Sequence, residues 1–174
     1  MSRAVISLGS NIDPQRHLPA AAARLAELGR VVAASRVYAS PAAGPPGQPD
    51  FLNAAVLLET EIAPEDLRAR LRRVETDLGR VRTEDRYAPR PIDLDLVLYD
   101  DLVVEGPGLR LPDPDLPTRG YLAVTAAEVD PERRHPVTGE TLATMATRLV
   151  SAARLTARPD VILIPAPNEK RRGR

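Results

Sequence analysis

The chain has 174 residues, the length of one domain, enough for a sizeable core and too short for two independent ones. Twenty-four Lys plus Arg balance 24 Asp plus Glu, so no bulk field points to a nucleic-acid or anionic-membrane partner. The absence of cysteine excludes disulfides, thiolate metal sites and a cysteine nucleophile, and fits a reducing compartment.

Residues 3–9 are apolar and β-branched and run into Gly9-Ser10-Asn11, which predicts a strand and a turn; the stretch is too short for a secretory or membrane segment, and the chain reads as cytoplasmic. Leu18, Ala21, Ala22, Leu25 and Leu28 share a helical face that Gly29 ends, with Pro19 requiring a start near residue 16. Residues 31–38 read as a second strand. Residues 40–50 carry four Pro and two Gly and form a stiffened loop. A strand over 51–62, antiparallel to the previous one, leads to a helix over 64–78, where Pro64 suits the first position and Leu67, Leu71, Val74 and Leu78 make the apolar stripe. Residues 80–91 form an Arg-rich loop, and 92–99 alternate as a strand. Helices follow over about 119–128 and 140–153, with a short strand at 161–164. This order predicts an α+β fold, a split βαβ arrangement of ferredoxin-like type with helices packed on an antiparallel sheet. Residues 1–165 read as a single domain and 166–174 as a basic tail.

The sharpest chemical feature is Ile92-Asp93-Leu94-Asp95-Leu96. Alternation points both carboxylates to one face, about 6–7 Å apart, while the apolar residues turn to the core. Asp is poorly suited to strands, so the pair carries a cost that a merely half-exposed strand could avoid. Oxygen ligands at this spacing suit Mg²⁺, which leaves its other positions to water and phosphate. Just upstream, Arg80, Arg82, Arg86 and Arg90 offer planar forks for phosphate oxygens. Carboxylates for a metal beside guanidiniums for phosphate describe phosphoryl transfer. The arginines of residues 68–73 read instead as a solvated helix face, balanced by Glu75, Asp77, Glu84 and Asp85. No G-x-x-x-x-G-K-[ST] motif occurs, and the single lysine, Lys170, is near the C-terminus, so a P-loop is excluded.

Taken together, LGSN at 8–11, YASPAAGPPGQPDFLNAAV at 38–56, VETDLGRVR at 74–82, RYAPRPIDLDLVLY at 86–99 and LPDPDLPTRGYL at 111–122 resemble the 6-hydroxymethyl-7,8-dihydropterin pyrophosphokinases of folate biosynthesis. The resemblance covers about 150 residues. It implies transfer of a pyrophosphoryl group from ATP to the pterin hydroxymethyl oxygen with release of AMP, on a ferredoxin-like fold with two Mg²⁺ ions. Carried over, Asp93 and Asp95 hold the metals, and Arg80 and Arg90 are the catalytic arginines of a mobile loop that closes over the phosphates. Phe51 and Tyr121 sandwich the pterin, Asn53 reads its edge, and Ser40, Pro41 and Ala43 add backbone contacts. Glu75, Arg82, Tyr87, Leu96, Arg110, Asp113 and Arg119 take the ATP positions. The implied partners are small molecules, with no nucleic acid and no membrane, and the implied state is a monomer.

The chain departs from the family pattern at Tyr87, where Trp is usual, at Ala88, where Gly is common, and at Asp113, in a PDP segment where the family shows PHP. A carboxylate there repels triphosphate unless Arg110 pairs with it, or unless it meets ribose hydroxyls or a metal. Two other readings stay open: a paralogue acting on another pterin or without turnover, and a ferredoxin-like RNA or ligand-binding module using the Arg cluster. Against the last, the expected strands lack a row of exposed aromatics and the Asp pair repels phosphate when no metal is bound.

Overall fold

Three antiparallel strands form the spine of the sheet. β1 (Ser2–Ser10) lies between β4 (Phe51–Thr60) and β5 (Asp93–Tyr99). Beyond β4, β2 (Arg30–Ala34) and β3 (Tyr38–Ser40) pair with its two halves, and β8 (Thr156–Ala157) adds to β3. With α1 (Pro14–Leu25) after β1 and α2 (Pro64–Asp77) between β4 and β5, this is the split βαβ order of a ferredoxin-like α+β fold. The coordinates are a computed structural model and describe residues 1–164; the tail expected over 166–174 lies outside them. Among the described residues no helix is long and apolar enough to cross a membrane.

Both faces of the sheet are covered. α1 and α2 pack on one face against Ile6, Leu8, Leu58, Leu94 and Leu96; α3 (Gly120–Val129) and α4 (Leu142–Leu149) pack on the other against Val5, Ala55, Leu57 and Val97. Two-sided burial explains why β1 and β4 read as continuous apolar runs rather than alternating ones. Each fully buried Leu or Ile contributes roughly 1.5–3 kcal/mol.

Several boundaries differ from the sequence reading. The strand expected over 31–38 is two strands, because the register against β4 slips between Val31 and Ala33 and again before Tyr38. The break is filled locally: the Ser35 hydroxyl oxygen accepts from the Ala55 amide at 2.8 Å, and the Arg36 amide donates to Glu128 at 2.8 Å. The Glu128 carboxylate also receives the Arg36 guanidinium and the Tyr38 hydroxyl, which ties β3 to α3. α1 starts at Pro14, earlier than expected, so Pro19 lies inside it and forgoes one backbone bond. No strand forms at 161–164; Val161 and Leu163 insert into the core instead, and the strand is β8, upstream. The last helix is shorter, with a 3₁₀ turn over Val150–Ala152. A hairpin of β6 (Val104–Glu105) and β7 (Arg110–Leu111) was not legible because each strand has two residues.

Candidate active site

The end of the sheet where β5 begins carries the aspartate pair. Asp93 lies opposite Gly9 and Asp95 opposite Ser7, so the neighbouring positions on β1 are small and the surface beside both carboxylates is open. Two clefts meet here, and Asp93 and Asp95 line both.

Below the pair is a buried ionic network. Glu75, 1% exposed on the last turn of α2, accepts from Arg80 Nη1 at 2.8 Å, Arg82 Nη2 at 2.6 Å and the Leu94 amide at 2.7 Å. Burial pushes its carboxyl up, opposed by the Leu94 amide and the two guanidiniums. The Arg80 side chain is 9% exposed, and the same Nη1 reaches Asp93 Oδ1 at 2.5 Å. Arg90 holds the other oxygen of Asp93 at 3.3 Å, and its guanidinium lies 5.9 Å from the centre of the Phe51 ring. Asn11, of the LGSN segment, fastens this loop in place: it exchanges hydrogen bonds with the Arg90 backbone at 2.8 and 3.2 Å and donates to the Pro49 carbonyl at 3.4 Å.

The larger cleft, about 430 Å³, is aromatic. Ser40, Pro41, Ala43, Phe51, Asn53 and Tyr121, the six residues expected around a pterin, all line it. Asn53 is buried and donates to the Ser40 hydroxyl at 2.8 Å and the Tyr38 carbonyl at 3.1 Å, which fixes its amide orientation. Burial and the nearby Asp95 push the Tyr121 hydroxyl up to about 12, so it stays protonated. Gly120 lets α3 start flush against the 3₁₀ turn, since a Cβ there would lie 2.3 Å from that of Ala153. Tyr87 and Arg119, expected in the ATP set, line this cleft rather than the other. The Tyr87 ring packs on Gly44, and Gln48 donates to the Tyr87 carbonyl at 2.7 Å, so the proline-rich and arginine-rich loops touch.

The second cleft, about 270 Å³, is lined by guanidiniums. Arg82, Leu96, Arg110 and Asp113 lie in it as expected, together with Arg68 and Arg72 of α2. The sequence alone puts those two arginines on a balanced, solvated face, and the structure differs. Among the described residues neither makes an ion pair, because Glu75 is taken by Arg80 and Arg82. Their i, i+4 spacing was the available signal. Arg110 pairs with Glu105 at 3.3 Å, not with Asp113. Asp113 instead accepts from the Asp115 amide at 2.8 Å. Two residues expected to meet ligand, Glu75 and Arg80, lie in neither cleft and act on the site from beneath.

Asp93 is paired with Arg80 and Arg90, whereas Asp95 has no salt-bridge partner among the described residues. Burial, then Asp93, Asp113 and Glu75, push the Asp95 carboxyl up to about 7, with Arg80 the opposing cation. Oxygen donors under mutual repulsion fit a hard divalent cation. Among the described residues no group of three or more His, Cys, Asp or Glu side chains is drawn together as a cage, so Asp93 and Asp95 would leave most of a Mg²⁺ shell to water and phosphate.

The profile of the 7,8-dihydro-6-hydroxymethylpterin-pyrophosphokinase (HPPK) family matches residues 5–131. The chain belongs to the HPPK family. It is 38% identical over 142 residues to the Synechocystis 2-amino-4-hydroxy-6-hydroxymethyldihydropteridine pyrophosphokinase, covering 80% of this chain and 72% of that one. Against the enzyme of the same name from Pseudomonas aeruginosa it is 36% identical over 140 residues, 78% of this chain and 85% of the relative. Among solved structures it resembles Plasmodium falciparum HPPK-DHPS crystallised with pteroate, with a TM-score of 0.68 and 15% identity. That match covers 86% of this chain and 42% of the longer one, and shows the shared fold. The HPPK match includes the aspartate pair, both loops and Tyr121.

Proposed function

We infer that the protein transfers the pyrophosphoryl group of ATP to the hydroxymethyl oxygen of 6-hydroxymethyl-7,8-dihydropterin, releasing AMP, in folate biosynthesis. Family membership carries the activity. The observation that assigns residues to it is the junction: an aromatic cleft and a guanidinium cleft meeting at Asp93 and Asp95. The pterin lies between Phe51 and Tyr121, with the oriented Asn53 amide at its edge, and ATP lies in the guanidinium cleft. The hydroxymethyl group and the β-phosphorus thereby meet over the aspartates.

Asp93 and Asp95 would hold the two Mg²⁺ ions that the resemblance implies, and the metal would supply neutralisation of phosphate charge and acidification of the hydroxyl. Arg80 and Arg90 here balance Asp93, and with cations on the aspartates the same guanidiniums would be free to meet phosphate oxygens. Glu75 holds Arg80 and Arg82 in register for that change. Every residue named here comes from one chain, so a monomer suffices, and a folate-synthesis role is consistent with the cytoplasm. An RNA-binding role does not fit a cleft in which Asp93, Asp95 and Asp113 stand among the arginines.

The test is pterin-dependent AMP release from Mg·ATP, run on the parent and on two variants. Phe51→Leu should raise the KM for pterin with little change for ATP, and Arg110→Ala the reverse. AMP release indifferent to pterin, or one variant raising both KM values alike, would overturn the assignment.

A further inference from the structure

The register of the sheet lays two rows of residues across the floor of the aromatic cleft, one residue from each of β4, β1 and β5. The outer row is Asn53, Gly9 and Asp93; the inner row, about 7 Å further along the strands, is Ala55, Ser7 and Asp95. Gly9 keeps the centre of the outer row open, since a Cβ there would lie 3.7 Å from the Phe51 ring and 3.8 Å from Asn53 Oδ1. Phe51 stands before this row on β4, and Tyr121 packs on the cluster that holds Val5 and Ala55, at the level of the inner row. A ring held between the two aromatics therefore lies over Gly9. It reaches from Asn53 toward the aspartates, about 10 Å across two strand spacings.

The centre of the inner row is Ser7. It lines the cleft, is 7% exposed, and its hydroxyl makes no hydrogen bond among the described residues. Ala55 on one side brings only a methyl group, and Asp95 on the other is a cross-strand neighbour with its Cβ about 5 Å away. Buried hydroxyls are as a rule hydrogen-bonded. One that faces a cleft with no protein partner marks where a polar atom of a ligand arrives.

We propose that Ser7 is a further substrate-binding residue, whose hydroxyl oxygen accepts a hydrogen bond from the hydroxymethyl group of the pterin and so selects pterins that carry that hydroxyl. This rests on the function inferred above and concerns which acceptor the site prefers. With the ring over Gly9 and its amide edge at Asn53, the substituent that reaches the aspartates is the hydroxymethyl group, beside Ser7. A serine hydroxyl both donates and accepts, so Ser7 can take the hydrogen bond of the substrate O–H. That contact leaves the lone pairs of the hydroxymethyl oxygen to the side where the two clefts meet, which is where a donor phosphorus must arrive. A 6-methyl group has nothing to donate, and a bound 6-methylpterin leaves Ser7 unpaired.

The experiment compares 6-hydroxymethyl-7,8-dihydropterin with 6-methyl-7,8-dihydropterin by calorimetric titration of the full chain and of Ser7→Ala, in Mg²⁺ and α,β-methylene-ATP, whose α–β bridge cannot be transferred. The parent should bind the hydroxymethyl compound about threefold or more tighter than the methyl compound. Ser7→Ala should lower that preference by about threefold or more, through a weaker Kd for the hydroxymethyl compound alone. Its melting temperature should not fall, because the substitution removes no hydrogen bond within the protein. A parent that binds the two compounds alike, a preference unmoved by Ser7→Ala, or both Kd values raised by the same factor overturns the proposal. A parent that binds neither compound and makes no AMP from Mg·ATP overturns instead the function on which it rests.

Discussion

Replacing Glu75 by Gln tests whether the buried network beneath the aspartates holds the site together. The carboxylate accepts three hydrogen bonds of 2.6–2.8 Å, two from guanidiniums and one from the Leu94 amide. Gln keeps one oxygen for Leu94 and Arg80 but turns an amino group toward Arg82 and removes the charge that Arg80 needs. Breaking one side of a buried ion pair costs about 3–5 kcal/mol. The Arg82 side chain is 49% exposed and rehydrates, so about 2–4 kcal/mol is the fitting range. For a chain of this size that lowers the melting temperature by roughly 5–15 °C. Circular dichroism is the assay, since the protein lacks tryptophan. Turnover should fall about tenfold or more, because Arg80 keeps its acceptor but loses the charge that anchors it, while the metal ligands remain. A melt within about 2 °C of the parent, with kcat within twofold, would refute the positioning role.

Three further outcomes follow from local geometry and charge. Gly44 has φ +104°, and an added Cβ would lie 2.8–2.9 Å from the Tyr87 ring, so Gly44→Ala must part the two loops; a cost of about 1–2 kcal/mol appears as a 5- to 30-fold rise in the KM for pterin, and an unchanged KM contradicts the contact. His135 is buried and its Nδ1 accepts from the Val137 and Thr138 amides at 3.3 and 3.2 Å. Burial pushes its pKa down, Glu140 opposing, so its share of stability is full above the unfolded value near 6.5 and is lost as pH falls through that value toward the folded one. His135→Asn keeps an acceptor for both amides and should flatten the pH dependence of unfolding below 6.5; parallel curves for variant and parent would count against it. Asp95, with its pKa raised to about 7, costs the metal-free protein stability above neutrality that returns as pH falls. Asp95→Asn should therefore melt higher than the parent at pH 8 in chelator, and a lower melt would show that the carboxylate is compensated.

The parts of this protein that follow a single period were legible in its sequence. α2 matched because Leu67, Leu71 and Val74 repeat at helical spacing behind Pro64, and β5 because apolar and acidic residues alternate. The interruption of 31–38 was not legible, since it depends on the Ala55 amide donating to the Ser35 hydroxyl and the Arg36 amide donating to Glu128, partners distant in sequence. The same limit applies in the site. The aspartate pair and the six residues of the aromatic cleft could be named from motifs, whereas the placement of Arg68 and Arg72 required knowing that Glu75 is already occupied. The resemblance names Glu75 and Arg80 as ligand residues, and what the sequence did not show is that both are buried and paired with each other at 2.8 Å.

The proposed chemistry depends on the aspartates at the junction of the two clefts, and pterin-dependent AMP release from Mg·ATP by Asp95→Asn tests this most directly. The side chain keeps its size and loses its charge, so the account predicts loss of AMP release with pterin still bound in the aromatic cleft. An Asp95→Asn variant that releases AMP at a rate within tenfold of the parent would contradict it.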